Sequence, residues 1–221
     1  MVGSIRRVND SSPAYVELRG YQPAGAPDSS FGTEGVASVT FAGWSVRDVR
    51  MTSLPEGGFL LAGSVEGSAS MGTPFVARLL PDGQLDSTFS GGFVTYELSG
   101  RGSALAVVPL KDGRWLVAIE ALAGKSLLRL NPEGTLDTSF GAEGVFTLPE
   151  TVGNVVGLLG RPNGKVAVVA QQAILHLLED GSPDPGFCEG GQMAIPMGRA
   201  TGVLSAASSS PDSPPARGFS G

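Results

Sequence analysis

An all-β fold built from one unit used several times is predicted by three observations. The first is a recurring string. Pro-Ala-Gly-Ala-Pro-Asp-Ser-Ser-Phe-Gly at 23–32 returns as Pro-Asp-Gly-Gln-Leu-Asp-Ser-Thr-Phe-Ser at 81–90 and as Pro-Glu-Gly-Thr-Leu-Asp-Thr-Ser-Phe-Gly at 132–141. A degraded copy, Glu-Asp-Gly-Ser-Pro-Asp-Pro-Gly-Phe-Cys, follows at 179–188. The second is a turn leading into an apolar run, at 55–63, 111–119 and 162–170, with the same spacing. The third is the punctuation: short apolar, often β-branched runs are separated by many of the 33 glycines and 16 prolines, which reads as strands and turns rather than helices. A period of roughly 50 residues marks a repeat architecture.

Each unit reads as four short strands. In the second, Val46–Met51 is the first strand and 55–58 a turn. Phe59–Gly63 is the second strand and Phe75–Leu80 the third. A turn at 81–83 leads to the fourth strand, Phe93–Leu98. The second strands are apolar on both faces, as strands covered on both sides require. The fourth alternates, with Val94, Tyr96 and Leu98 against Thr95 and Glu97, as suits one wet face. Four antiparallel strands in about 50 residues correspond to one blade of a β-propeller. A single such sheet cannot bury both faces, so blades must stack.

Within the string, Gly83, Gly134 and Gly181 are placed to supply positive φ at a turn. Asp28, Asp86, Asp137 and Asp184 are placed to accept backbone N–H groups just downstream, as in an Asx turn. Phe31, Phe89, Phe140 and Phe187 are expected to drop into or between blades. A basic column lies eight residues before three of the aspartates, at Arg78, Arg129 and His176. It reads as an intrablade ion pair or hydrogen bond, or alternatively as a ring of basic groups facing one ligand surface. The first unit breaks the column, with Gly20 in register and Arg19 one residue out of step.

On these residues the chain resembles the bacterial delta-60 repeat family, propeller-like repeats of unknown function. Its units have the form Arg-Leu-x-Pro-Asp-Gly-x-Leu-Asp-x-Ser/Thr-Phe-Gly followed by Gly-Val. Arg78–Phe89 and Arg129–Gly141 match closely, and Gly144-Val145 completes the latter. The likeness covers roughly 14–198, with a weak extension to about 213. Ser90 and Cys188 depart from the motif glycine, and Pro185-Gly186 from the hydroxyl pair. The resemblance implies an exported or surface-attached bacterial protein and supplies no catalytic residues.

Strand phase sets the domain reading. Residues 1–13 read as an N-terminal extension, 14–206 as the repeat domain and 207–221 as a Ser/Pro-rich flexible tail. The repeats fall near 14–41, 44–98, 102–149 and 153–196, with a partial one at 200–213. The chain thus opens on a third-and-fourth-strand pair, Ala14–Arg19 and Val36–Phe41. It closes on a first strand, Val203–Ala207, and a degraded turn at 210–213. Three full units with a half unit at each end give either a closed four-bladed ring with a composite blade or an open partial propeller. An open array would leave blade edges free for self-association.

The net charge of −6 and a pI near 4.8 argue against nucleic-acid binding, which needs a basic face. Apolar runs are too short to span a bilayer, and no apolar core follows Arg6 and Arg7 to make a signal peptide. The one histidine and one cysteine give no metal cluster and no disulfide, and no basic group is placed to activate Cys188. The expected function is therefore a non-catalytic scaffold or binding surface for a protein or surface glycan, with no cofactor. Convergence of Asp28, Asp86, Asp137 and Asp184 on Ca²⁺ is the alternative for the motif aspartates. Trp44 and Trp115 could form a carbohydrate platform, although burial suits them better. A glycan lyase or hydrolase would need two carboxylates facing one cleft, drawn from Asp48, Asp112, Glu120 and Asp180. The remaining reading is a truncated fragment of a larger repeat protein without its own activity.

Overall fold

A computed structural model describes residues 2–8, 14–41, 44–67, 72–96, 102–161 and 163–195. Among them the chain forms four antiparallel sheets in sequence order and no α-helix. Sheet I contains β1 (Val2–Val8), β2 (Ala14–Gly20) and β3 (Val36–Phe41). Sheet II contains β4 (Ser45–Ser53), β5 (Phe59–Glu66), β6 (Thr73–Leu79) and β7 (Phe93–Thr95). Sheet III contains β8 (Gly102–Pro109), β9 (Trp115–Ala121), β10 (Gly124–Leu130) and β11 (Val145–Thr147). Sheet IV contains β12 (Val155–Gly160), β13 (Val166–Ala170), β14 (Ala173–Leu177) and β15 (Gln192–Ala194). Every sheet is a meander whose neighbours are consecutive in sequence.

Three apolar cores lie between consecutive sheets. The first joins Val16, Leu18 and Phe41 of sheet I to Leu61, Phe75 and Leu79 of sheet II. The second joins Leu60 and Val76 to Trp115, Val117 and Ile119. The third joins Leu116, Ala118 and Leu127 to Val166, Val168 and Leu175. Alternation explains the arrangement: in β5 and β9 successive residues point to opposite cores and both faces are buried, whereas in β13 Val166, Val168 and Ala170 point into the third core. The middle strands β5 and β9 therefore read as continuous apolar runs. The first strands of sheets II, III and IV, β4, β8 and β12, converge around a cavity lined by Met51, Val107 and Leu158.

Among the described residues the array is an open propeller-type arc. Packing proceeds in chain order, β2 on β4, β5 on β8 and β8 on β12. Sheet I begins earlier than strand phase implies. The stretch read as an N-terminal extension contains β1, which pairs antiparallel with β2 from Val2↔Gly20 to Val8↔Tyr15. It forms because the edge of β2 presents a ladder of N–H and C=O groups that must be satisfied. Sheet I thus has the second, third and fourth strands of a unit rather than a half unit. The expected strand Val203–Ala207, the partial repeat and the Ser/Pro tail lie outside the described residues. No helix among the described residues is long and apolar enough to cross a membrane.

Candidate functional site

The repeated string is a turn with a latch at its end. Asp28, Asp86, Asp137 and Asp184 each accept the backbone N–H two residues on, at 3.0–3.1 Å. The hydroxyls of Ser30, Thr88 and Ser139 add a second bond to the same oxygen at 2.6–2.7 Å. Each aspartate also donates its own N–H to the carbonyl eight residues earlier, on Gly20, Arg78, Arg129 and His176, at 2.8–3.0 Å. The eight-residue spacing is therefore a backbone contact, which explains why it persists at Gly20, where there is no side chain.

The side chains of the basic column diverge. Arg129 Nε donates to Asp137 Oδ2 at 2.7 Å, and its Nη1 reaches the Glu179 carbonyl of the next unit. Arg78 lies 3.3 Å from Asp86 Oδ2. His176 departs from the intrablade pair expected for it. Its ring stacks on Phe187 at 3.5 Å between centroids, and Lys165 Nζ binds Asp184 at 2.7 Å instead. An imidazole is too short to span what an arginine spans, so the turn base takes over. A second basic column follows, Arg114 and Lys165, each one residue after a turn glycine. Arg114 binds Asp112, Asp137 and Glu179. Burial would raise the Asp137 pKa, but hydrogen bonds from Ser139 and Arg114 outweigh it and hold the carboxyl well below the usual range.

Phe31, Phe89 and Phe140 are buried, whereas Phe187 is half-buried. The three buried rings sit on the turn glycine of the following unit. A Cβ on Gly83 would lie 2.7 Å from Phe31, one on Gly134 2.9 Å from Phe89, and one on Gly181 2.8 Å from Phe140. The residue after each Phe bonds the carbonyl just before that glycine: Gly32 N–H to Asp82 O, Ser90 Oγ to Glu133 O, and Gly141 N–H to Asp180 O, at 2.7–2.9 Å. The motif is thus a joint between units as much as a turn within one. Gly25, the first turn glycine, is exposed, and a Cβ there would meet nothing within 4 Å.

A cleft of about 290 Å³ opens between sheets II and III at the end where β4 and β8 begin. Its lining includes Asp48, Ser64, Ser103 and Glu120, with Leu122 at the lip, 76% exposed. Asp48 occupies a β-bulge in β4 and has φ 52°, a left-handed conformation costly for a residue other than glycine. Ser103 Oγ is buried without a hydrogen-bond partner, a costly state. Glu120 lies 3.8 Å from Lys125. Two of the four carboxylates weighed for an enzyme, Asp48 and Glu120, therefore share one cleft. Asp112 faces a separate cavity between sheets III and IV, where Arg114 holds it, and Asp180 is bonded to Ser182. That cavity's arginines 114 and 129 are already committed to Asp112, Asp137, Glu179 and Ser139.

Other sequence candidates fall elsewhere. Trp115 is buried and Trp44 packs half-buried against the first core, so neither offers a stacking platform. Cys188 is exposed. The four motif aspartates sit on separate units, and no group of three or more His, Cys, Asp or Glu among the described residues is arranged to hold a metal ion. The cleft residues escaped the repeat because they do not recur. The one signal in β4 is a slip of alternation, Val46 to Val49 in place of every second residue.

Residues 60–89 and 110–140 match the family described as a domain of unknown function (DUF5122) beta-propeller. No curated protein matches the chain. A protein of unknown function from Bacteroides caccae, known from its crystal structure, is 16% identical. The alignment covers 80% of this chain and 56% of that one, with a TM-score of 0.46. The chain thus spans little more than half the length of that structure. The two matched stretches run from β5 to the motif phenylalanine of sheet II and from the start of the β9 turn to that of sheet III, so the chain is similar to that propeller family where its repeat is most regular.

Proposed function

We propose that this array is a non-catalytic binding module and that a protein or surface glycan docks at the cleft between sheets II and III. The observation that carries this reading is the buried, unpartnered Ser103 hydroxyl in a cleft that also holds Asp48 and Glu120. A hydroxyl buried without a bond is destabilising for the free protein, and a ligand hydroxyl, amide or ammonium would relieve it. The two carboxylates select donors, and the exposed Leu122 offers an apolar contact beside them. Sugar hydroxyls fit the polar wall, as does a lysine or arginine flanked by an apolar residue on a protein.

The test compares wild type with Ser103→Ala and Leu122→Asp on a glycan array and against proteins extracted from bacterial surfaces. Specific binding that both substitutions weaken supports the docking site and shows which class binds. Binding unaffected by either moves the site elsewhere.

A second reading is favoured by one observation, that Asp48 and Glu120 line the same cleft. Paired carboxylates of this kind cleave or eliminate at glycosidic bonds. Turnover of any polysaccharide in a reducing-end assay, lost in both Asp48→Asn and Glu120→Gln, would establish it. Binding without turnover excludes it.

A further inference from the structure

The cavity shared by β4, β8 and β12 holds about 250 Å³, and the repeated string accounts for none of its lining. Each of the three strands is hydrogen-bonded to a neighbour on one side only. They lie side by side, β4 against β8 and β8 against β12. Among the described residues the backbone groups of their second edges have no strand partner, and unpaired N–H groups of this kind need acceptors. The side chains around them are apolar: Leu105, Val108, Val156 and Leu159 line the cavity and are half-buried. Arg50 is the one charged residue in the lining. Register sets it opposite Ala62, which packs in the core with Val107 of sheet III. Residues directly opposite share a face, so Arg50 is directed toward sheet III. Its guanidinium makes a single long contact, 3.4 Å to the neighbouring Val49 carbonyl. Arg19, Arg47, Arg78, Arg114 and Arg129 each hold a carboxylate at 2.7–3.3 Å. Among the described residues Arg50 holds none, in a chain with 21 acidic and 15 basic side chains.

We propose that this cavity binds a small aliphatic carboxylate. The carboxylate pairs with Arg50, whose planar fork suits two oxygens at once, and accepts from the free edge N–H groups. The hydrocarbon tail lies on Leu105, Val108, Val156 and Leu159. Each half of such a ligand answers one half of the lining: the cation lacks an anion, and the partly exposed apolar wall lacks a cover. Pockets for drug-sized ligands begin near about 300 Å³, so the occupant is short. No residue lines both this cavity and the docking cleft between sheets II and III, and the two sites stand or fall separately.

Methyl NMR titration of the full chain at neutral pH tests this with four probes. Hexanoate, hexanol and hexylamine share a tail and differ in head group, and acetate keeps the head without the tail. Hexanoate is expected to move the methyl signals of Leu105, Val108, Val156 and Leu159. It should bind at least about tenfold more tightly than hexanol or acetate, and hexylamine should bind most weakly. Arg50 is exposed, so Arg50→Gln should leave far-UV circular dichroism unchanged and remove the preference for hexanoate over hexanol. Arg50→Lys, which keeps the charge, should retain most of it. Hexanoate that moves none of these methyls up to about 10 mM overturns the proposal. So does acetate binding as tightly as hexanoate, the result for a plain anion site. Hexanol binding as tightly as hexanoate, or a preference that survives Arg50→Gln, overturns it equally.

Discussion

Gly25 and Gly134 offer a matched pair that separates the strain of a left-handed backbone from the cost of crowding a joint. Both are turn glycines in the same place of their units, with φ of +87° and +90°. An alanine at either must adopt a conformation that costs roughly 1–2 kcal/mol. Around Gly25 that is the whole cost, since a Cβ meets nothing within 4 Å. At Gly134 the Cβ comes within 2.9 Å of Phe89 Cζ and 3.1 Å of two further ring atoms. Phe89 is fully buried in the core with Trp115 and Leu130, so the ring cannot swing aside. Overpacking of this kind adds about 1–3 kcal/mol. Gly134→Ala should therefore destabilise by about 1–3 kcal/mol more than Gly25→Ala. Equilibrium urea unfolding of the dilute chain, analysed with a common m-value, measures the difference. Equal losses, within about 0.5 kcal/mol, would refute the reasoning that Phe89 is clamped on the turn of the following unit.

Three further expectations rest on the same geometry. Phe140→Ala should cost ~3–5 kcal/mol, the range for a buried aromatic, and Phe187→Ala about 1 kcal/mol or less in the dilute chain; denaturant unfolding ranks them, and a loss below about 1 kcal/mol at Phe140 would remove it from the core. Cys188 holds φ 46° at a position that is glycine in two other units, and its turn bond from Gln192 to Glu189 is stretched to 3.4 Å, against 3.0 and 3.1 Å in the first and third units. Cys188→Gly should accordingly raise stability by about 1 kcal/mol, read as a higher melting temperature. Asp137 has its folded pKa lowered, so its contribution is present above the unfolded value, near 3.8, and is lost as pH falls toward the folded one. Wild type should therefore lose stability between pH 5 and pH 2–3 more steeply than Asp137→Asn, by urea midpoints; parallel acid limbs would contradict that.

Much of the fold is legible in the sequence because its turns repeat. The glycine, aspartate and phenylalanine of each string mark where strands end, and the apolar runs at 59–63, 115–119 and 166–170 mark the second strands of their units, the first two of which lie between two cores. Strand β1 is hidden because Val2–Val8 has no counterpart marker and forms only once β2 offers its edge. The joint is hidden for a different reason. The string is contiguous in one unit, but Phe89 meets Gly134 in the next, a contact that spacing within the string cannot reveal. At His176 spacing points to a side-chain pair, whereas the constant feature is the backbone bond to Asp184 and the charge comes from Lys165. The cleft is least legible. Asp48, Ser103 and Glu120 come from three strands of two sheets and belong to no repeat, so only folding brings them together.

The most direct test of the joint is the chemical shift of the turn-glycine α-protons. In the dilute monomer, those of Gly83, Gly134 and Gly181 should be displaced by the ring current of the phenylalanine packed on each, while those of Gly25 stay near unstructured values. Phe89→Leu should return Gly134 toward the Gly25 shift and leave Gly83 and Gly181 unchanged. A Gly134 shift indifferent to Phe89→Leu, or one that moves together with its own unit's Phe140, would contradict the assignment of each phenylalanine to the unit that follows it.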